Sequence, residues 1–140
     1  MKEIMVAYWS GTGNTAAMAT ILGKGIQDGG ATAKVVSVED IKADDLKDYP
    51  VFALGCPSMG NETLEETVME DFVTEVESFA SGKKIGLFGS YGWGDGEWMQ
   101  TWEGSCKDDG AELACESVIC TEEPDDEAKA ACQALGKALA

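Results

Sequence analysis

Five apolar runs alternate with helical periods along the chain, and no other feature restricts its fold as much. The runs fall at 3–9, 33–38, 51–56, 84–90 and 112–120. Several are near-continuously apolar, the pattern of strands covered on both faces. Helical periods fill the intervals. Leu64, Val68, Met69, Phe72, Val73, Val76 and Phe79 fall on one face, and Trp98, Trp102 and Cys106 recur every fourth position. Ala128, Ala131, Cys132, Leu135 and Leu139 do likewise, and all three stripes read as ordinary core faces. Gly29-Gly30, Gly82 and Gly110 are read as helix ends, Pro50 as the start of the third strand and Pro124-Asp125 as the start of the last helix. The stretch 40–48 reads as a short, charged helix. Strict strand–helix alternation demands right-handed crossovers and a parallel sheet with helices on both faces, the doubly wound α/β architecture. At 140 residues, one domain spanning 1–140 is expected.

Ligands of such sheets bind beyond the carboxyl ends of the strands, so the loops after strands one, three and four carry the interest. The first is Ser10-Gly11-Thr12-Gly13-Asn14-Thr15, set where a buried strand turns into a helix. Unpaired N–H groups and the helix dipole make that junction an anion site, and its hydroxyls, amide and glycines add donors on a pliable backbone. No lysine or arginine lies between Lys2 and Lys24, so a phosphate held here keeps most of its charge. The second loop reads Pro57-Ser58-Met59-Gly60-Asn61-Glu62 and the third Ser90-Tyr91-Gly92-Trp93-Gly94-Asp95-Gly96. Each sets a large polarisable or aromatic side chain, Met59 or Trp93, among glycines. A flat ring clamped between them would explain both.

These three loops carry a resemblance to the flavodoxins, specifically the short-chain kind of anaerobic bacteria. It rests on Tyr8-Trp9-Ser10-Gly11-Thr12-Gly13-Asn14-Thr15, on Gly55-Cys56-Pro57-Ser58-Met59-Gly60 with Glu62, and on Gly86-Leu87-Phe88-Gly89-Ser90-Tyr91-Gly92-Trp93-Gly94. The resemblance covers the whole chain and implies a five-stranded sheet of order 2-1-3-4-5, its fifth strand free of the insertion that long-chain members carry. It also implies a noncovalent FMN. The phosphate would lie on Ser10, Thr12, Asn14, Thr15 and the Gly13 backbone, with Gly11 in the same loop and Ser90 a weaker candidate. The ring would lie between Met59 and Trp93, with Ser58, Tyr91 and Gly94 beside it. Glu62 would receive the ring N3–H, and Gly92 with Trp93 would donate to the pyrimidine oxygens. Asn61 stands where some relatives carry Asp, and Glu122 where some carry Asn near the ribityl chain, which leaves the ribityl contacts unassigned. A peptide flip at Gly60-Asn61 would present a carbonyl to the protonated N5 of the semiquinone, so Gly60→Ala is expected to destabilise that state selectively.

Charge shapes the expected chemistry. Twenty-six acidic residues face 10 basic ones, all lysine, for a net charge of -16. With Glu62, Glu65, Glu66, Asp95 and Glu97 near the ring and an uncompensated phosphate, the second electron should be hard to add, which makes the fully reduced carrier strongly reducing. Nucleic acid and anionic membranes are repelled, and basic redox partners are attracted. Five scattered cysteines without C-x2-C spacing read as reduced structural thiols and not as cluster ligands. With no signal-peptide pattern or membrane-length apolar run, a cytoplasmic location is expected.

Rival activities fare worse on inventory. Gly11-x-Gly13-x-x-Ala16 with Glu39 or Asp40 also fits a dinucleotide fingerprint, but a helix start and an acidic strand end explain the same residues. Ala16-Ala17 replaces the Lys-Ser/Thr of an NTPase loop, a small phosphatase needs an arginine, and a receiver domain needs acids where Trp9 and Ser10 stand. A cofactor-free interaction module leaves Met59 and Trp93 unexplained. The expectation is therefore a monomeric electron carrier, not an enzyme, serving larger redox proteins with basic docking surfaces. The alternative is a small FMN-dependent NAD(P)H:quinone or nitro-compound reductase, which turnover with NAD(P)H alone would reveal.

Overall fold

Residues 3–11, 13–58, 65, 68–92 and 96–140 are described by the computed structural model of the chain. Strand β1 (Glu3–Tyr8) leads into helix α1 (Asn14–Asp28), followed by β2 (Thr32–Ser37), a 3-10 turn (Ala43–Leu46) and β3 (Val51–Gly55). Then come α2 (Met69–Glu77), β4 (Lys84–Tyr91), α3 (Glu97–Asp108), two short strands β5 (Glu112–Leu113) and β6 (Val118–Thr121), and α4 (Asp126–Leu139). All pairings are parallel, in the order β2-β1-β3-β4, with β5 and β6 together occupying the fifth position against β4. This is the expected 2-1-3-4-5 order, and its topological switch lies between β1 and β3.

Alternation along the inner strands divides the core into two layers. Ile4 and Val6 of β1 point towards α1 and α4, where Met18, Leu22, Ile26, Cys132, Leu135 and Leu139 cover them. Met5 and Ala7 point the other way, towards Met69, Phe72 and Val76 of α2 and Trp98 and Trp102 of α3. A large apolar side chain fully buried in this way contributes about 1.5–3 kcal/mol, so each layer anchors its helices firmly. The closest helix crossing is α1 on α4. A Cβ at Gly25 would overlap the Gln133 carbonyl, and one at Gly136 would overlap that of Leu22, so glycine at both positions sets the approach.

Two expectations need correction. The helix before β4 ends at Glu77, with Ser78 as its cap, and Gly82 instead turns the chain into β4 at φ 80°. Leu64 of its apolar stripe lies outside the described residues. The fifth strand is not continuous over 112–120. From the Ile85–Leu113 pairing to the Phe88–Val118 pairing, β4 advances three positions while the edge chain advances five. Polar anchoring explains the detour: the Ser117 hydroxyl donates to Glu103 of α3 at 2.8 Å, drawing the edge away from the ladder.

Candidate functional site

The carboxyl ends of β1, β3 and β4 lie level, with Tyr8 beside Gly55 and Gly55 beside Phe88. Pairing continues into the loops: Trp9 N–H donates to the Gly55 carbonyl at 3.0 Å, Cys56 N–H to Phe88 at 3.1 Å and Ser58 N–H to Ser90 at 3.0 Å. These bonds draw the three loops into one rim. Between them opens a cleft of about 500 Å³.

At its head, the first loop is already folded for an anion. Ser10 Oγ accepts from the N–H groups of Gly13 (3.1 Å) and Ala16 (3.3 Å), which leaves its hydroxyl proton to donate outward. Gly13, at φ 96°, caps α1 in a left-handed conformation that presents the first helical turn to the cleft. Thr15 is 1% exposed, and its Oγ1 has no hydrogen-bond partner among the described residues. A buried, unpaired hydroxyl costs about 1–3 kcal/mol, so its position at a helix N-terminus calls for a ligand acceptor.

Of the residues expected at the site, Gly11, Asn14, Ser58, Ser90, Tyr91 and Gly92 line the cleft, with Ser10, Gly13 and Thr15 at its head. Thr12, Met59, Gly60, Asn61, Glu62, Trp93 and Gly94 lie outside the described residues, as do Glu66 and Asp95. Tyr91 is held from below by Trp98, whose ring centroid is 5.4 Å away and whose Nε1–H donates to the Cys56 carbonyl at 3.2 Å.

Trp9, Pro57, Glu122 and Glu123 complete the lining, though sequence reasoning assigned them no contact. Trp9 packs on Gly11, where an added Cβ would stand 3.1 Å from its ring. An aromatic at the end of a buried strand, two positions before a glycine, was the available signal. Glu122 has φ 57°, the one positive value at a non-glycine among the described residues. Its N–H donates to the Tyr91 carbonyl at 2.8 Å, and its Oε1 lies 4.0 Å from where a Gly92 Cβ would be.

Glu65 has a structural part that the sequence reading did not assign. It is 4% exposed, and its Oε2 accepts from Val68 N–H at 2.8 Å and Met69 N–H at 2.9 Å, so the carboxylate caps α2. Its own N–H donates to Cys56 Sγ at 3.4 Å. Burial pushes the thiols of Cys56, Cys106 and Cys132 up to about 12 and that of Cys120 to about 11. Cys115 is exposed, and its thiol is also raised. All five cysteines are free, and burial keeps the thiols of Cys56, Cys106, Cys120 and Cys132 protonated at neutral pH.

Fold and cleft together define a doubly wound protein whose loop at the switch point has the donors an anion would need, with an open cleft beyond it. The Flavodoxin family model matches residues 6–135. The chain belongs to the flavodoxin family. It is 44% identical over 137 residues to a flavodoxin of Megasphaera elsdenii, covering 98% of each chain, and 43% identical over 135 residues to one of Clostridium beijerinckii. The solution structure of the two-electron reduced Megasphaera elsdenii flavodoxin superposes with a TM-score of 0.88 over 97% of each chain. An archaeal flavodoxin, 30% identical, gives 0.86 over 98% of this chain and 95% of its own. Flavodoxins are FMN-binding electron carriers and not enzymes, and the reductase alternative is not favoured. The orphan Thr15 hydroxyl, the Ser10 donor and the open first turn of α1 fit the phosphate of that cofactor.

Proposed function

We propose that the chain, as one domain over 1–140, holds FMN through these loops and carries single electrons at low potential between larger redox proteins. The observation that supports this most is the unpaired Thr15 Oγ1, buried at the N-terminus of α1 at the head of the cleft. Bound FMN supplies reversible one-electron chemistry. Ser10, Asn14, Thr15 and the first-turn N–H groups of α1 orient the phosphate. Ser58, Ser90, Tyr91 and Gly92 shape the cleft beyond it, with Thr12, Met59, Gly60, Asn61, Glu62, Trp93 and Gly94 assigned from the sequence. Glu122 and Glu123 stand at the wall and, among the described residues, no lysine lines it, so negative charge brought into the cleft is opposed. That opposition favours a strongly reducing carrier.

The acidic molecule suits partners with basic docking surfaces, a cytoplasmic setting and a monomeric state. No helix among the described residues is long and apolar enough to cross a membrane. An anaerobic titration, with NAD(P)H added before dithionite, tests the reading. A yellow protein that ignores NAD(P)H and passes through a blue colour before bleaching supports it. Direct bleaching by NAD(P)H would favour a reductase, and a colourless protein unable to take up FMN would remove the site.

A further inference from the structure

The detour in the fifth strand position opens a second depression. A groove of about 600 Å³ runs between β6 and α4. Val118, Ala128, Ala131 and Leu135 give it an apolar floor, and the two alanines leave room for a projecting side chain. Glu116, Asp125 and Glu127 stand around it, and no lysine among the described residues lines it. Asp125 is pinned, its Oδ1 accepting the Ala128 N–H at 2.8 Å, whereas Glu116 and Glu127 are exposed. Tyr91 forms part of the wall of both this groove and the cofactor cleft.

We propose that the groove is the docking site of a basic redox partner, a protein that presents lysine or arginine side chains around an apolar one. The proposal rests on the carrier reading and gives the partner a place. Acidic charge alone steers an encounter without fixing its geometry, whereas an apolar floor inside a charged rim supplies the desolvated centre that specific docking needs. Charge excludes the other occupants. A second copy of this chain would bring its own net charge of -16 against the same carboxylates, and nucleic acid would be repelled likewise. Docking here also sets the partner against Tyr91, one side chain away from the cleft.

The test uses FMN-loaded, oxidised, 15N-labelled protein titrated at low salt with ferricytochrome c, a lysine-rich haem protein. The amides of 115–121 and 127–135 are expected to shift most. Glu116→Gln with Glu127→Gln, and separately Ala131→Trp to fill the floor, are expected to weaken binding about tenfold, or ~1.4 kcal/mol. Glu39→Gln with Asp40→Gln makes the same charge change at the opposite edge of the sheet and should weaken it less than twofold. Equal weakening by both carboxylate pairs, or shifts centred away from the groove, overturns the proposal. A parallel experiment mixes the dithionite-reduced protein with the same cytochrome, one electron leaving the protein for each ferric haem reduced. Reduction with the shifts elsewhere overturns the groove alone, and failure to reduce overturns the carrier reading and the groove with it.

Discussion

Thr15 sits where two demands on one side chain oppose each other. Without a ligand its buried hydroxyl is a liability, and with a phosphate it becomes a short-range donor. Thr15→Val keeps the shape and removes the hydroxyl. The ligand-free protein should gain ~1 kcal/mol, read from urea unfolding. FMN affinity should fall about tenfold, while riboflavin, which lacks the phosphate, should bind as before. Equal losses for the two flavins would place the hydroxyl somewhere other than on the phosphate. Glu65 shows another case, a residue expected to add negative charge near the cofactor whose carboxylate also holds a helix. Removing its carboxylate in Glu65→Ala leaves the N–H groups of Val68 and Met69 unpaired at the start of α2, which should cost ~2 kcal/mol. Glu70→Ala, at an exposed position in the same helix, should change stability by less than ~0.5 kcal/mol. Denaturant unfolding, with alkylation of Cys56 as a local probe, separates the two.

At the scale of elements, helix propensity and packing give opposite answers for two helical glycines. Replacing glycine by alanine inside a helix is worth ~1 kcal/mol when nothing stands in the way. A Cβ at Gly104 of α3 meets nothing within 4 Å, so Gly104→Ala should raise stability by about that amount. A Cβ at Gly136 would overlap the Leu22 carbonyl, and backbone of α1 cannot swing aside as a side chain can. Gly136→Ala should therefore destabilise by ~1–3 kcal/mol, and equal melting shifts for the two variants would refute the crossing geometry. The same contrast marks what was legible in the sequence. The strand–helix alternation, helices on both faces and the loop at the head of the cleft followed from periodicity and glycine placement, because those signals are local, whereas the sheet order came from the resemblance of the three loops to a known family. The break at Ala114–Ser117 did not, since it depends on Ser117 reaching Glu103 across the fold. Nor could composition separate Glu65, a buried cap, from the acidic residues around it.

Across the whole molecule, net negative charge makes carboxylate repulsion the dominant long-range term, and one contact can be distinguished from it by how it titrates. Glu77 at the end of α2 has its carboxyl raised above the ordinary value, first by burial and then by its hydrogen bond with Asp109, while the Ser105 hydroxyl donating at 3.0 Å opposes the shift. A carboxyl with a raised folded pKa stabilises the fold when protonated. That contribution is whole below the ordinary glutamate range and is lost as pH rises through the raised value. Repulsion among exposed carboxylates changes in the same direction, because they too charge as pH rises, so a pH profile alone does not divide the two. Salt does, since at 0.1 M it largely screens exposed charges more than about 10 Å apart and acts far less on a partly buried pair. Glu77→Gln removes the titration while keeping a donor towards Asp109. Relative to the wild type, its stability should fall less steeply between the ordinary glutamate range and neutrality, and that difference should persist in high salt. A difference that vanishes with salt would assign the slope to the surface field and leave the α2–α3 contact without a role.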